Sequence, residues 1–178
     1  LLRQDRTLKV VAITRTLQPG LKGALNYLPT LLGQMYHVAT SKAVVLDGYN
    51  IVVSYLSQRK RLFVLQAWHS TIALKRFSLQ ALDTPGGRSS ELARVMRMHQ
   101  NYSAALCGGM ASRRDFAEAF GIEVSDVYPI PLPRIDVLRN PDINRIDQVL
   151  HHHPELRGKG KTVLYVPTFR SAGKAAAT

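Results

Sequence analysis

The stretch that decides the fold is residues 61–76, which read RLFVLQAWHSTIALKR. Its first seven residues are mainly apolar and predict a short buried strand. His69 follows where that strand should end, and Lys75 and Arg76 come soon after it. In open α/β sheets, ligands bind beyond the carboxyl ends of the strands. An imidazole there, close to two cations, suits a site that deprotonates a hydroxyl near a phosphate. The alternative is a histidine that only packs or hydrogen-bonds at a strand end.

Apolar runs alternate with helical patterns through the rest of the chain. Strands are predicted at 8–13, 43–46, 103–107 and 162–166, and helices at 21–35, 92–98, 112–120 and 144–150. Pro29 should kink or split its helix, Ser89 or Ser90 should cap the next one, and Gly121 should end the third. The segment 131–136 reads as a proline-stiffened loop. The alternation predicts an α/β fold: a mainly parallel, Rossmann-like sheet with helices on both faces.

The composition points to an anionic partner. The 178 residues carry a formal net charge of +12, which suits nucleic acid, an acidic membrane surface or a phosphate-rich substrate. We expect no nucleic-acid partner, because no recognition motif is visible and aromatic residues make up only 7%. The single cysteine, Cys107, excludes a disulfide framework and a cysteine-rich zinc site. Three adjacent histidines at 151–153 cannot all converge on one ion, so we predict no metal and no cofactor.

Several short motifs occur together in one order along the chain. They are YHVATSK at 36–42, QAWH at 66–69, KRF at 75–77, MHQNY at 98–102, FGI at 120–122, LPRID at 132–136 and LYVPTFR at 164–170. In this order the chain resembles the CDP-glycerol glycerophosphotransferase family, the teichoic-acid primases and polymerases. Two positions depart from the family pattern. Ser70 stands where the family has glycine or alanine, and Pro131 stands where glycine is common.

The resemblance implies a GT-B fold, in which two Rossmann-like domains enclose the active site. We therefore expect an acceptor-side domain at 1–150, a linker at 151–161 and the start of a second domain at 162–178. Most of the donor-binding domain would lie outside this sequence. We expect the chain to be the acceptor-side half of an enzyme, inactive alone.

The resemblance also implies the reaction. A hydroxyl of a lipid-linked teichoic-acid acceptor attacks CDP-glycerol or CDP-ribitol, an alditol phosphate is transferred, and CMP is released. His69 is the expected general base. The expected substrate-binding residues are Thr71, Lys75, Arg76, Arg134, Asp136 and Arg170. Structural roles stay open for several: Thr71 as a helix cap, Lys75 and Arg170 as structural contacts, and Arg134 with Asp136 as a local pair.

The family's acceptors are anionic polymers on an isoprenoid lipid, so the resemblance implies a peripheral location at the cytoplasmic face of the cell membrane. The basic stretch 59–61 and the helix at 21–35 are candidates for the membrane-facing surface. The alternatives are a solvated charge run and a core helix. The competing function for the whole chain is a non-catalytic basic module that binds anionic membrane or polymer.

Overall fold

The computed structural model describes residues 7–16, 18–158 and 160–165. The chain divides into two compact units, Leu1–Ile135 and Asp136–Thr178. The first unit contains the sheet, and the second contains most of the last two helices.

Four short strands form a parallel sheet in chain order. They are β1 (Ala43–Leu46), β2 (Phe63–Gln66), β3 (Ala104–Leu106) and β4 (Val127–Tyr128). Leu46 lies opposite Gln66, and Gln66 lies opposite Ala105, so the carboxyl ends of the strands meet at one edge. The predicted parallel α/β sheet is confirmed, with β2 shorter than the apolar run that predicted it.

The described residues also contain six α-helices. They are α1 (Gly20–Thr40), α2 (Ile51–Tyr55), α3 (Ser90–Val95), α4 (Arg113–Phe120), α5 (Arg134–Arg139) and α6 (Ile143–His152). The predicted cap at the start of α3 and the predicted glycine end of α4 are confirmed. The Ser89 hydroxyl accepts the backbone N–H of Leu92, and Gly121 ends α4 with a left-handed φ of 64°.

Two apolar clusters hold the first unit together. One packs Val38 of α1 and Val53 of α2 against Val64 of β2. The other packs Phe116 and Phe120 of α4 against the strands β3 and β4. These four helical side chains are buried, so the helices are fixed to the sheet and the loops at its carboxyl edge start from a rigid base.

Helix α1 extends beyond the sheet edge at which the strands end. Its last residue is joined to β1 by only two residues, and the Gln34 side chain accepts a hydrogen bond from Asn50, which lies beyond the carboxyl end of β1. The helix therefore runs antiparallel to β1. At 1.5 Å per residue, Leu21 lies roughly 20 Å further out than Gln34.

The outer part of α1 carries an exposed apolar stripe. We call leucines 21, 25, 28 and 32 the leucine stripe. Their spacing places them on one helix face, and Leu21 is 79% exposed and Leu32 58% exposed. The alternative that this helix is a core helix is therefore wrong for its amino-terminal part. Val38, near its carboxyl end, is buried.

Four local predictions differ from the structure. Residues 8–13 are exposed and form no strand, because β-forming side chains become a strand only where a neighbour pairs with them. Residues 162–165 are also exposed and outside any strand, and Val166 lies outside the described residues. Pro29 does not split its helix, since α1 is continuous from Gly20 to Thr40. Residues 134–136 begin α5 rather than ending a loop.

Candidate active site

His69 lies at the carboxyl edge of the sheet, three residues beyond β2, and is exposed. Its Nδ1 atom lies 3.0 Å from the backbone oxygen of Asp47, in the loop that follows β1. A carbonyl oxygen can only accept a hydrogen bond, so Nδ1 carries the proton and donates it. In the neutral ring Nε2 then keeps its lone pair. The bond to Asp47 therefore leaves Nε2 as the exposed nitrogen of the neutral ring, and a general base needs such a free nitrogen.

Trp68 supports one face of the imidazole. The two ring centroids are 4.1 Å apart, and Trp68 is in turn packed by Phe77 at 5.5 Å and Phe120 at 5.3 Å. Its backbone adopts a left-handed φ of 60°, which is rare for a bulky residue. Such strain persists only where the surroundings hold the conformation, and it is common at functional sites.

Gln66 connects the two loops that meet at His69. This side chain is completely buried at the end of β2. Its Oε1 atom accepts the backbone N–H of Trp68 at 3.0 Å, and its Nε2 atom donates to the backbone oxygen of Gly48 at 3.0 Å. Nε2 also donates to the Tyr102 hydroxyl at 3.0 Å. The two backbone partners fix the orientation of the amide, because an N–H needs an acceptor and a carbonyl needs a donor.

Behind Gln66, the network continues through Tyr102, His99 and Ser78. The Tyr102 hydroxyl is hydrogen-bonded to His99 Nδ1 at 2.9 Å, and His99 Nε2 is hydrogen-bonded to the Ser78 hydroxyl. Burial, with a smaller contribution from the Arg88 charge, lowers the pKa of His99 to about 4. Burial also raises the pKa of Tyr102 to about 12. Both groups are therefore neutral near pH 7.

Sequence reasoning missed the role of Gln66. The available signal was Gln66 itself, a polar residue at the end of an apolar strand. A buried amide needs partners for its donors and acceptor, so it indicates a network rather than simple packing.

Thr71 anchors the loop that follows His69. Its backbone oxygen accepts the N–H of Gly108 at 2.7 Å, beyond the end of β3. No helix starts at this loop, so the alternative of Thr71 as a helix cap is wrong. The neighbouring Ser70 hydroxyl donates to the backbone oxygen of Ile72 at 2.8 Å, so this departure from the family pattern adds a bond within the loop.

Lys75 and Arg76 line an open cavity of about 470 Å³, and His69 is not among its lining residues. The carboxylates of Asp115 and Glu118, from α4, line it too. The part of the chain that the structure describes contains one ion pair, between His153 and Glu155, so these cations and carboxylates are not ion-paired with each other. The Glu118 carboxylate instead accepts a hydrogen bond from Gln80 at 3.0 Å.

The structure shows no contact between His69 and the remaining predicted site residues that it describes, Arg134 and Asp136. Arg134 and Asp136 are exposed in the first turn of α5, and Asp136 belongs to the second compact unit. No ion pair joins them within the described residues, so the local pair is not formed. Arg170 lies outside the described residues.

The described ranges contain neither a metal-binding cluster nor a helix able to span a membrane. No group of three or more histidine, cysteine or acidic side chains is arranged to hold a metal ion there. None of the helices in those ranges combines the length and apolar character needed to cross a bilayer.

Fold and site together define a class. The molecule contains a parallel α/β domain in which loops at the carboxyl edge of the sheet hold an exposed histidine through a hydrogen bond from its Nδ1 atom to a backbone oxygen. The family model described as CDP-Glycerol:Poly(glycerophosphate) glycerophosphotransferase matches residues 9–177. The chain belongs to this family, as its motifs suggested.

Curated relatives are consistent with this family. The chain is 34% identical over 174 residues to the teichoic acid ribitol-phosphate primase of Bacillus spizizenii, a match that covers 97% of this chain and 44% of the relative. It is 26% identical over 140 residues to the teichoic acid glycerol-phosphate primase of Bacillus subtilis, covering 79% of this chain and 35% of the relative. The chain thus spans less than half the length of these relatives.

Solved structures show the same fold. A histidine-to-asparagine variant of the wall teichoic acid polymerase TagF, soaked with CDPG for 15 minutes, matches with a TM-score of 0.56 and 24% identity. The match covers 76% of this chain and 33% of the TagF chain.

Proposed function

We propose that the protein containing this chain transfers an alditol phosphate from CDP-glycerol or CDP-ribitol to a hydroxyl of a lipid-linked teichoic-acid acceptor, with His69 as general base. The observation that carries the proposal is the hydrogen bond from His69 Nδ1 to the Asp47 oxygen, which leaves Nε2 to accept a proton. Family membership supplies the class of reaction.

The proposed reaction is one displacement at phosphorus. The acceptor hydroxyl oxygen forms a bond to the β-phosphorus of the CDP-alditol while its proton passes to His69 Nε2. The bond from this phosphorus to the bridging oxygen breaks, and CMP leaves with that electron pair. A general base contributes roughly 10²–10⁴-fold to such a step. No metal or cofactor is part of the proposal.

Substrate binding is proposed for the loop that begins at His69. Lys75 and Arg76 have no ion-pair partner among the described residues, so they are available to an acceptor phosphate. Thr71 would act through its backbone, by holding this loop against Gly108. Arg134, Asp136 and Arg170 remain proposed substrate contacts.

The domain assignment also remains a proposal. Residues 1–150 would form the acceptor-side domain of a GT-B enzyme, 151–161 the linker and 162–178 the start of the donor-binding domain. Because the chain spans less than half of its relatives, we expect the 178 residues alone to release no CMP.

The test is CMP release by the full-length protein, supplied with each CDP-alditol and a lipid-linked glycerophosphate acceptor. His69→Ala should lower kcat by about 10²–10⁴-fold. The matched control is His151→Ala, which removes an exposed histidine of α6 and should leave turnover intact. Equal rates in the wild type and His69→Ala would rule out His69 as the base. No turnover with either donor would rule out the reaction itself.

The leucine stripe supports a peripheral location at an anionic membrane. It projects beyond the same sheet edge as His69, on the side from which a lipid-linked acceptor would approach. The stretch 59–61 precedes β2 and lies at the opposite, amino-terminal edge, where Arg59 donates to the backbone oxygen of Ser41. We therefore propose α1, rather than 59–61, as the membrane-facing surface at the cytoplasmic face.

Sedimentation with vesicles containing anionic lipid tests this surface. The double variant Leu25→Gln/Leu32→Gln should weaken vesicle binding by roughly tenfold or more, because burying a leucine is worth about 1.5–3 kcal/mol. Leu138→Gln, which changes an exposed leucine of α5, is the control. Equal binding by both variants would exclude the leucine stripe as the contact. Vesicle binding without any transferase activity would favour the alternative, a non-catalytic module that binds anionic membrane or polymer.

A further inference from the structure

We infer that Gln66 is a positioning residue that sets the orientation and proton arrangement of the His69 imidazole. This inference rests on the proposed function, because it assigns a role to Gln66 through the proposed base. Gln66 does not touch the imidazole, and its effect passes through the two backbone segments on either side of the hydrogen bond from His69 to Asp47.

The first segment is the loop after β1. Gln66 Nε2 donates to the backbone oxygen of Gly48, the residue that directly follows Asp47. The Asp47 oxygen is the acceptor for His69 Nδ1. Holding the Gly48 carbonyl therefore limits how far the Asp47 carbonyl can turn away from the imidazole.

The second segment is the chain between β2 and His69. Gln66 Oε1 accepts the N–H of Trp68, the residue that precedes His69 and adopts a φ of 60°. This bond stabilises the left-handed turn that brings the indole against one face of the imidazole. The buried amide of Gln66 thus fixes the segments on both sides of the hydrogen bond from His69 to Asp47, the donor side and the acceptor side.

The geometry is specific to a side chain with both a donor and an acceptor. The N–H of Trp68 needs an acceptor, and the oxygen of Gly48 needs a donor. A carboxylate offers only acceptors, and an apolar side chain offers neither. An amide of this length satisfies both and still has one N–H for Tyr102.

The test is a mutant cycle in the full-length protein, measured by CMP release. Gln66→Met keeps a similar volume but removes all three hydrogen bonds. It should lower kcat by about 100-fold with little change in KM, because misplacing a reacting group by about 1 Å has an effect of that size. In a His69→Ala background, assayed at high enzyme concentration, Gln66→Met should cause no further loss, since the base on which it acts is gone.

Tyr102→Phe is the matched control, because it alters the same buried network but leaves both backbone bonds of Gln66 in place. We expect it to retain most of the wild-type kcat. Thermal unfolding of each variant establishes that it is folded. If Gln66→Met does not fold, Gln66→Asn tests the same geometry, since its shorter amide cannot span both backbone partners.

The outcomes separate this inference from the proposed function. If His69→Ala has no effect, the proposed function fails and the role of Gln66 fails with it. If His69→Ala removes activity but the Gln66 variants keep the wild-type kcat, only the positioning role is overturned. Equal losses from Gln66→Met in the wild-type and His69→Ala backgrounds would also overturn it, since a purely structural residue behaves in that way.

Discussion

Replacing Gly108 with alanine tests how tightly the loop after His69 is attached to the sheet. A Cβ atom at Gly108 would lie 2.4 Å from both Thr71 Cγ2 and the Thr71 backbone oxygen. The same oxygen accepts the Gly108 N–H at 2.7 Å. Because one of the contacts is backbone, a rotamer change of the Thr71 side chain cannot relieve it. The loop has to move away from β3.

The magnitude follows from two contributions. Overpacking in a close contact costs about 1–3 kcal/mol. Losing the hydrogen bond between the two backbones costs a further ~0.5–1.5 kcal/mol. Together they predict that Gly108→Ala lowers the free energy of unfolding by about 2–4 kcal/mol.

The neighbouring glycine provides the control. A Cβ atom at Gly109 meets nothing within 4 Å, and its φ of 173° is extended backbone that any residue adopts. Gly109→Ala should therefore be neutral or should stabilise by about 0.4–1 kcal/mol, through the lower entropy of the unfolded chain. Of two adjacent and chemically identical substitutions, only Gly108→Ala is thus expected to destabilise the protein.

Urea denaturation measures both variants. Trp68 is the chain's one tryptophan and lies beside this loop, so its fluorescence reports the transition. The proposed close contact is wrong if Gly108→Ala has the same urea midpoint of unfolding as the wild type. It is also wrong if the two variants shift this midpoint equally.

Three further predictions concern stability. Since the folded-state pKa of His99 is lowered to about 4 from an ordinary value of 6.5, the unfolded chain binds more protons between these two pH values. Acidification through that range should lower the free energy of unfolding by up to about 3 kcal/mol. Urea denaturation at about pH 7 and about pH 4.5 should show a smaller decrease in this free energy for His99→Asn than for the wild type. Ser89→Ala removes the cap of α3 and should cost about 1 kcal/mol in the same assay, and no loss would refute the role of the cap. Gly121→Ala should cost about 1 kcal/mol, because φ is 64° there and the new Cβ atom would lie 3.2 Å from Leu79; a stabilised variant would contradict this expectation.

Several features were predictable because they depend on neighbouring residues alone. The apolar run before Gln66 indicated a strand, and Gly121 marked the end of a helix. His69 could be placed at the carboxyl edge because it follows the strand directly. Residues 8–13 show the limit of this reasoning. Their composition favours a strand, but a strand also needs a partner, and no local pattern supplies one.

The candidate site was only partly predictable for the same reason. His69 and Asp47 are separated by 22 positions, and Gln66 and Tyr102 by 36. Their contacts depend on the register of three parallel strands, which the sequence does not state. The exposure of the leucine stripe is also a tertiary result, since a helical apolar pattern is the same whether its face is covered or open.

The sequence by itself determined the α/β class, the family and the position of a histidine at a strand end. These follow from periodicity, motif order and chain adjacency, which are local properties. Only the tertiary structure decided that His69 Nδ1 donates to Asp47, that Gln66 holds both loops, and that Thr71 contacts Gly108. Each of these depends on which strand ends meet at the sheet edge, and that is set by packing across the whole domain.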